Sequence, residues 1–203
     1  NYQKSGSGWV IHNFIFLDLN IISYNPLRAS SYIPLPTDIE SRKATINIQN
    51  TDNFCFLWSI LAHIHPVPAH CVNPNRASHY TPYEFELDTS NIQFPATVHH
   101  DIPIFESTNN IAINVFHITP TNQIKPLRLS DKSKLPNPDH KINLLLLHTN
   151  ELCHYVLISD LSRLLSTQLS KRKTSKHICF YCLHAFTTNL RLEQHTCNQP
   201  KIY

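Results

Sequence analysis

A chain of 203 residues with 41% hydrophobic content can bury a core of its own and carry a small appendage, which excludes wholesale disorder. Its longest apolar stretch, WVIHNFIFLDLNII, is broken by His12, Asn13, Asp18 and Asn20. It falls short of the ~20 apolar residues of a membrane span, and no basic start leads into a signal peptide. The net charge of +3 is uneven: residues 160–203 hold seven Lys/Arg against two Asp/Glu, and residues 1–159 hold ten against twelve.

Two glycines and fourteen prolines make the loops stiff. The lack of methionine and the start at Asn1 read as an internal fragment or an incomplete gene model. Of six cysteines, three crowd into the last 25 residues and Cys55, Cys71 and Cys153 lie far apart. That favours a metal site in a reducing compartment over disulfides. The expected location is intracellular and nuclear, with no membrane, and the basic tail reads as a nucleic-acid contact or as a solvated linker.

WVIHNFIFLDLNIISY, rich in β-branched and aromatic residues, predicts one or two strands. NPLRASSYIPLPTDI has three prolines and no helical period and reads as an ordered loop. KATINIQ alternates and reads as a strand. In DNFCFLWSILAHIH the period changes: Phe54, Leu57, Trp58, Leu61 and Ile64 recur at helical steps, with Asp52 or Asn53 as cap and Pro66 as stop. ASHYTPYEFEL reads as a second helix starting at Thr81-Pro82. IAINVFHI, IKPLRLS, KINLLLLH and CHYVLIS are short strand-like runs suggesting an antiparallel meander. DLSRLLSTQLS reads as a helix capped by Asp160. The expected fold class is therefore α+β, an antiparallel sheet packed on a central helix and compatible with a papain-like arrangement. Residues 1–170 form the main domain, 171–177 a basic linker, and 178–203 a ββα zinc finger.

The finger carries the most specific motif, Cys-x2-Cys-x3-Phe-x5-Leu-x2-His, at Cys179, Cys182, Phe186, Leu192 and His195. Two thiolates on a turn and an imidazole on the following helix can meet at one tetrahedral Zn2+, with Phe186 and Leu192 as the small core that the ion holds together. The fourth ligand is Cys197, two residues after His195. Residues i and i+2 of a helix point to nearly opposite sides, so Cys197 ligates only if the helix ends by His195. The alternative is a degenerate finger with water in the fourth place. For nucleic acid, the helix offers Thr188, Arg191 and Gln194 to bases, and Lys171, Arg172, Lys173 and Lys176 offer charge to phosphates. A single finger reads about three base pairs, so DNA or RNA contact is expected to be non-specific. A protein-interaction module with structural zinc is a further reading.

Cys55 stands in the first turn of its predicted helix, where the dipole favours thiolate, and His154 heads a strand. A helix-borne thiol facing a strand-borne imidazole is the geometry of cysteine hydrolases. Gln49 or Asn53 would serve the oxyanion, and Asn143 on the preceding strand would orient the imidazole. Asp160, six strand residues on, lies about 20 Å from His154. Buried core cysteine is the competing reading of Cys55.

Two resemblances attach to these residues. DNFCFLWSILA with HYVLI is similar to the helix start and His-Tyr strand of ovarian-tumour-type deubiquitinases of the papain-like class. The glycine and asparagine of that family are shifted or lost in Asp52-Asn53-Phe54-Cys55-Phe56. This resemblance implies a cysteine protease or deubiquitinase using Cys55 and His154. More broadly, SGSGWV, YNPLRASSYIPLP, KATINIQNTDNFCFLWSILA, YEFEL, FPATVHHDIPIFESTNNIAINVF, INLLLLHT, HYVLISDLSRLLSTQLS and CFYCLHAF, in this order, resemble the region upstream of type B DNA polymerase domains in Polinton/Maverick-like mobile elements and related viruses. That implies an accessory role in element replication, with the polymerase domain of the same reading frame as a partner. No polymerase carboxylate motif or exonuclease signature is present in the chain itself.

Overall fold

The computed structural model describes residues 32–68, 73–149, 152–169 and 175–197. The predicted strands at 9–24 lie outside them. Helix α1 (Thr37–Ser41) occupies part of the expected loop, and β1 (Thr45–Ile46) is the short core of the predicted KATINIQ strand. Helix α2 (Cys55–Ile64) forms where expected. Its residues Cys55 to Ala62 are all buried, so it is a central helix, apolar all round. The Asp52 carboxylate accepts the Phe54 N–H at 2.9 Å and the Trp58 indole N–H at 3.0 Å, which fastens the entry. Pro66 disfavours helical backbone at His65, where the helix stops.

The predicted second helix is instead two 3-10 turns, Ala77–His79 and Thr81–Tyr83. Pro82 stands at the start of a turn as well as it would start a helix, and the stretch has no apolar stripe to bury: Phe85 is 92% exposed. An unpredicted helix, α3 (Asp101–Asn109), follows. Pro103 lies in its first turn, where its missing N–H costs no helical bond. Asn110, at φ 53°, ends α3 in the left-handed region and turns the chain into β2 (Ile111–Ile118).

Strands β3 (Ile124–Arg128), β4 (His140–His148) and β5 (Cys153–Ile158) complete a five-stranded sheet of order β1-β5-β4-β2-β3. The sheet is mixed rather than an antiparallel meander, because β2 and β4 run parallel. β3 returns along the outer side of β2, and residues 129–139 then carry the chain back to the start of β2, where Asp139 N–H donates to Asn110 O at 2.9 Å. β3 does not reach the first half of β2. The Glu106 carboxylate and the Arg128 guanidinium, paired with each other, take the Ile113 N–H and C=O at 2.6 and 2.7 Å in its place.

Both sheet faces are covered. On one, Ile113, Val115, Ile142, Leu144, Leu146, Tyr155 and Leu157 meet α2 and Phe105. Phe56 is its centre, edge-on to Phe105 and Tyr155 at ring distances of 5.1 and 5.4 Å. On the other, Phe116, Leu145, Leu147, Val156 and Ile158 meet Ile39 of α1 and Leu164 of α4 (Leu161–Leu164). Asp160 caps α4 by accepting the Arg163 N–H at 2.9 Å, as expected, and α5 (Ser166–Leu169) continues the predicted helix after a break at Leu165. Strands β6 (His177–Ile178) and β7 (Ala185–Phe186) and helix α6 (Asn189–Glu193) close the described chain. Ile178 and Leu183 pack against the second face.

Candidate metal centre

The β6–β7 turn presents Cys179 and Cys182. Leu183 N–H donates to Cys179 O, and Cys179 N–H to His184 O, both at 2.9 Å, with Leu183 at φ 58° in the left-handed region. Thr188 caps α6, which runs only to Glu193. His195 N–H donates to Leu192 O, three residues back, so the last turn tightens and the chain leaves the helix. His195 and Cys197 therefore stand outside helical geometry, the condition under which both can face one point. Candidate ligand atoms of Cys179, Cys182, His195 and Cys197 all lie within 4.8 Å of one another, and Cys182 Sγ is 3.2 Å from His195 Nε2. Ligands of a tetrahedral ion at about 2.0–2.3 Å stand about 3.3–3.8 Å apart, so small shifts bring the four into coordination. Phe186 stacks at a tilt on His195 at 4.9 Å.

The thiols are electrostatically interdependent. Burial works against a Cys179 thiolate, but backbone N–H groups of Cys182 and Tyr181 donate to its sulfur and, with the neighbouring thiols, hold it below the ordinary range. Burial and the Cys179 charge push Cys182 up. Cys197 is pushed up to about 12 by burial and then by Cys179 and Cys182. Three thiolates cannot share this space unaided, and a bound cation reverses that penalty. The residues present fit a metal ion with soft donors.

This unit is anchored to the sheet. Asn114, buried on β2, donates to Phe180 O at 2.8 Å. Tyr181, 6% exposed, donates its hydroxyl to Leu135 O at 3.3 Å, and the Lys132 and Lys141 ammoniums lie 5.8 and 5.4 Å from its ring centroid. Lys176 N–H donates to Ser162 Oγ at 2.9 Å.

The proposed hydrolase dyad is not assembled, which corrects the cysteine-protease expectation. Cys55, 1% exposed, packs in the cluster between α2 and the sheet. Along β5, Cys153, Tyr155 and Leu157 face that cluster, whereas Val156 and Ile158 face the other. His154 alternates with the latter, so the sheet stands between it and Cys55. Its ring is fully buried, its Nε2 lies 2.8 Å from Asn47 Oδ1, and Tyr32 meets it edge-on at 6.0 Å. Burial lowers its pKa to about 4, which leaves a neutral imidazole. Asn143 does not orient it: its Oδ1 accepts from Asn114 at 3.1 Å. Gln49 is exposed and bonded through its N–H to Asn75 O at 2.7 Å, and Asn53 is half-buried. A groove of about 930 Å³ lined by Val98, His117, Ile118, Leu146 and His148 includes neither Cys55 nor His154.

Of the residues expected at nucleic acid, Arg191 and Gln194 are exposed and Lys176 is half-buried; the Thr188 hydroxyl is used as the α6 cap. Lys171, Arg172 and Lys173 lie outside the described residues. Asn47, Asn114 and Tyr181 were not singled out from sequence. For the two asparagines the signal is a polar residue inside a β-type run, as in Ile-Ala-Ile-Asn-Val. Among the described residues no helix is long and apolar enough to cross a membrane. No protein-family model matches the chain, and neither a curated protein nor a solved structure is detectably similar to it.

Proposed function

We propose that the C-terminal residues form a zinc finger of Cys-Cys-His-Cys type, and that the chain is a non-catalytic accessory module contacting nucleic acid weakly and without sequence preference. The convergence of Cys179, Cys182, His195 and Cys197 carries this reading. Three thiolates and an imidazole in tetrahedral spacing suit Zn2+. The turn holding Cys179 and Cys182 faces the sheet, and Arg191 and Gln194 of the helical segment are left exposed to a partner. The basic residues 171–176 supply phosphate contacts in this reading. The sequence blocks that resemble the region upstream of type B DNA polymerases supply the context: a replication protein of a mobile element, working in the nucleus beside the polymerase domain of its own reading frame.

Leu190, 62% exposed on α6, favours a second reading in which the same face meets a protein. Fluorescence anisotropy of labelled single- and double-stranded oligonucleotides with the zinc-loaded chain separates the two. Phosphate contact predicts affinity that falls steeply with salt. Absence of binding at low salt removes the nucleic-acid reading and leaves the protein-contact one.

A further inference from the structure

We propose that Asn114 is a positioning residue of the metal centre, acting through the Phe180–Tyr181 peptide. This role rests on the metal reading above and extends it to a side chain on the sheet, 65 residues before the first ligand.

Asn114 is fully buried, and both polar atoms of its side chain have partners. Its Oδ1 accepts the Ser130 N–H at 2.9 Å, which fixes the orientation of the amide, since a flipped group would set N–H against N–H. The two Nδ2 hydrogens go to Asn143 Oδ1 at 3.1 Å and to Phe180 O at 2.8 Å. Asn114 and Asn143 are register partners on the parallel strands β2 and β4, so the backbone ladder holds both ends of this contact.

The Phe180 carbonyl shares a planar peptide with the Tyr181 N–H, and in a trans peptide the two point in opposite directions. Phe180 and Tyr181 stand between the candidate ligands Cys179 and Cys182, in the turn closed by Cys179 N–H to His184 O and Leu183 N–H to Cys179 O, both at 2.9 Å. By holding the carbonyl, Asn114 therefore fixes the plane of the peptide between the two candidate ligands. The sheet thus sets the backbone of the turn that carries both cysteines before a cation arrives.

The test uses the full chain, stripped of metal and titrated with Co2+ against a competing chelator. Asn114→Leu keeps the side-chain size and removes both donors. Cobalt affinity is expected to fall about 10–100-fold, the usual consequence of losing an outer partner of a metal ligand. At saturation the thiolate-to-cobalt charge-transfer band is expected to shift, because the turn that sets the sulfur geometry loses its hold on the sheet; a purely architectural role would not move that band. Wild-type affinity with an unshifted band in folded Asn114→Leu overturns the proposal. Should that variant not fold, Asn143→Ala, which removes one of the two partners that hold the Asn114 amide beside its bond to Phe180, is expected to weaken cobalt binding by roughly threefold or more; wild-type affinity there overturns it equally. A wild-type chain that takes up no cobalt removes the metal reading and this role together, whereas wild-type uptake with unaltered variants removes this role alone.

Discussion

The two faces of the central sheet are built differently. The face toward α2 is a continuous apolar cluster from Ile48 to Leu157, with Phe56 at its centre. The opposite face mixes Phe116, Leu145 and Val156 with buried Asn47, Asn114 and His154. Apolar contact is non-directional and stabilises α2 at many orientations. Buried amides act only along their bonds, so they specify where a segment docks. Asn47 donates to Ile33 O at 2.9 Å and accepts from His154, which places residues 32–36; Asn114 places the Cys179–Cys182 turn. The candidate metal turn thus docks where the apolar pattern is interrupted, and the apolar face serves as foundation.

The largest effect expected from breaking this division is on the apolar face. Phe56→Ala should cost about 3–5 kcal/mol in urea unfolding, as a buried aromatic truncation does, while the molecules that remain folded keep their metal stoichiometry. A loss of metal in step with truncation would show that the faces are not separable.

Next is acid. The folded pKa of His154, lowered to about 4 by burial, lies below its value near 6.5 in the unfolded chain. The unfolded state therefore binds more protons between these values, so the contribution is present above pH ~6.5 and is lost as pH falls toward 4. The loss should be on the order of 3 kcal/mol. Burial lowers His63 and His117 in the same direction. Because thiolate ligands also protonate in acid, the quantity to compare is the pH slope of unfolding free energy in wild type and in His154→Gln. Identical slopes would show that His154 is not held neutral by the second face.

The smallest effect concerns the cap of α4, which covers that face. Asp160→Ala should cost about 1 kcal/mol. No change in the unfolding midpoint would mean that the Asp160–Arg163 bond adds nothing.

Elements whose signal is local were legible in the sequence. The strands at 111–118, 140–148 and 153–158 are β-type runs between turns, and α2 declares itself by a change of period. The Cys-x2-Cys and His spacing places three ligands, and the fourth depends only on where a short helix ends. What was not legible is which face a residue occupies. In β5 both Cys153–Tyr155–Leu157 and Val156–Ile158 are apolar and packed, so period two carries no phase, and His154 could be drawn beside Cys55 on paper although the sheet divides them. Helix α3 was hidden by Pro103, which reads as a breaker unless its place in the first turn is known. Asn143 had the right strand and the wrong partner: its side chain meets Asn114 across a parallel pairing that no local pattern announces.

The central claim is that four side chains, Cys197 among them, hold one metal ion. X-ray absorption at the zinc edge of the zinc-loaded full chain tests it directly. The account predicts one zinc per chain with three sulfurs at about 2.3 Å and one nitrogen at about 2.0–2.1 Å. A shell of two sulfurs completed by oxygen, which leaves Cys197 outside the site, contradicts this, and so does a shell without sulfur.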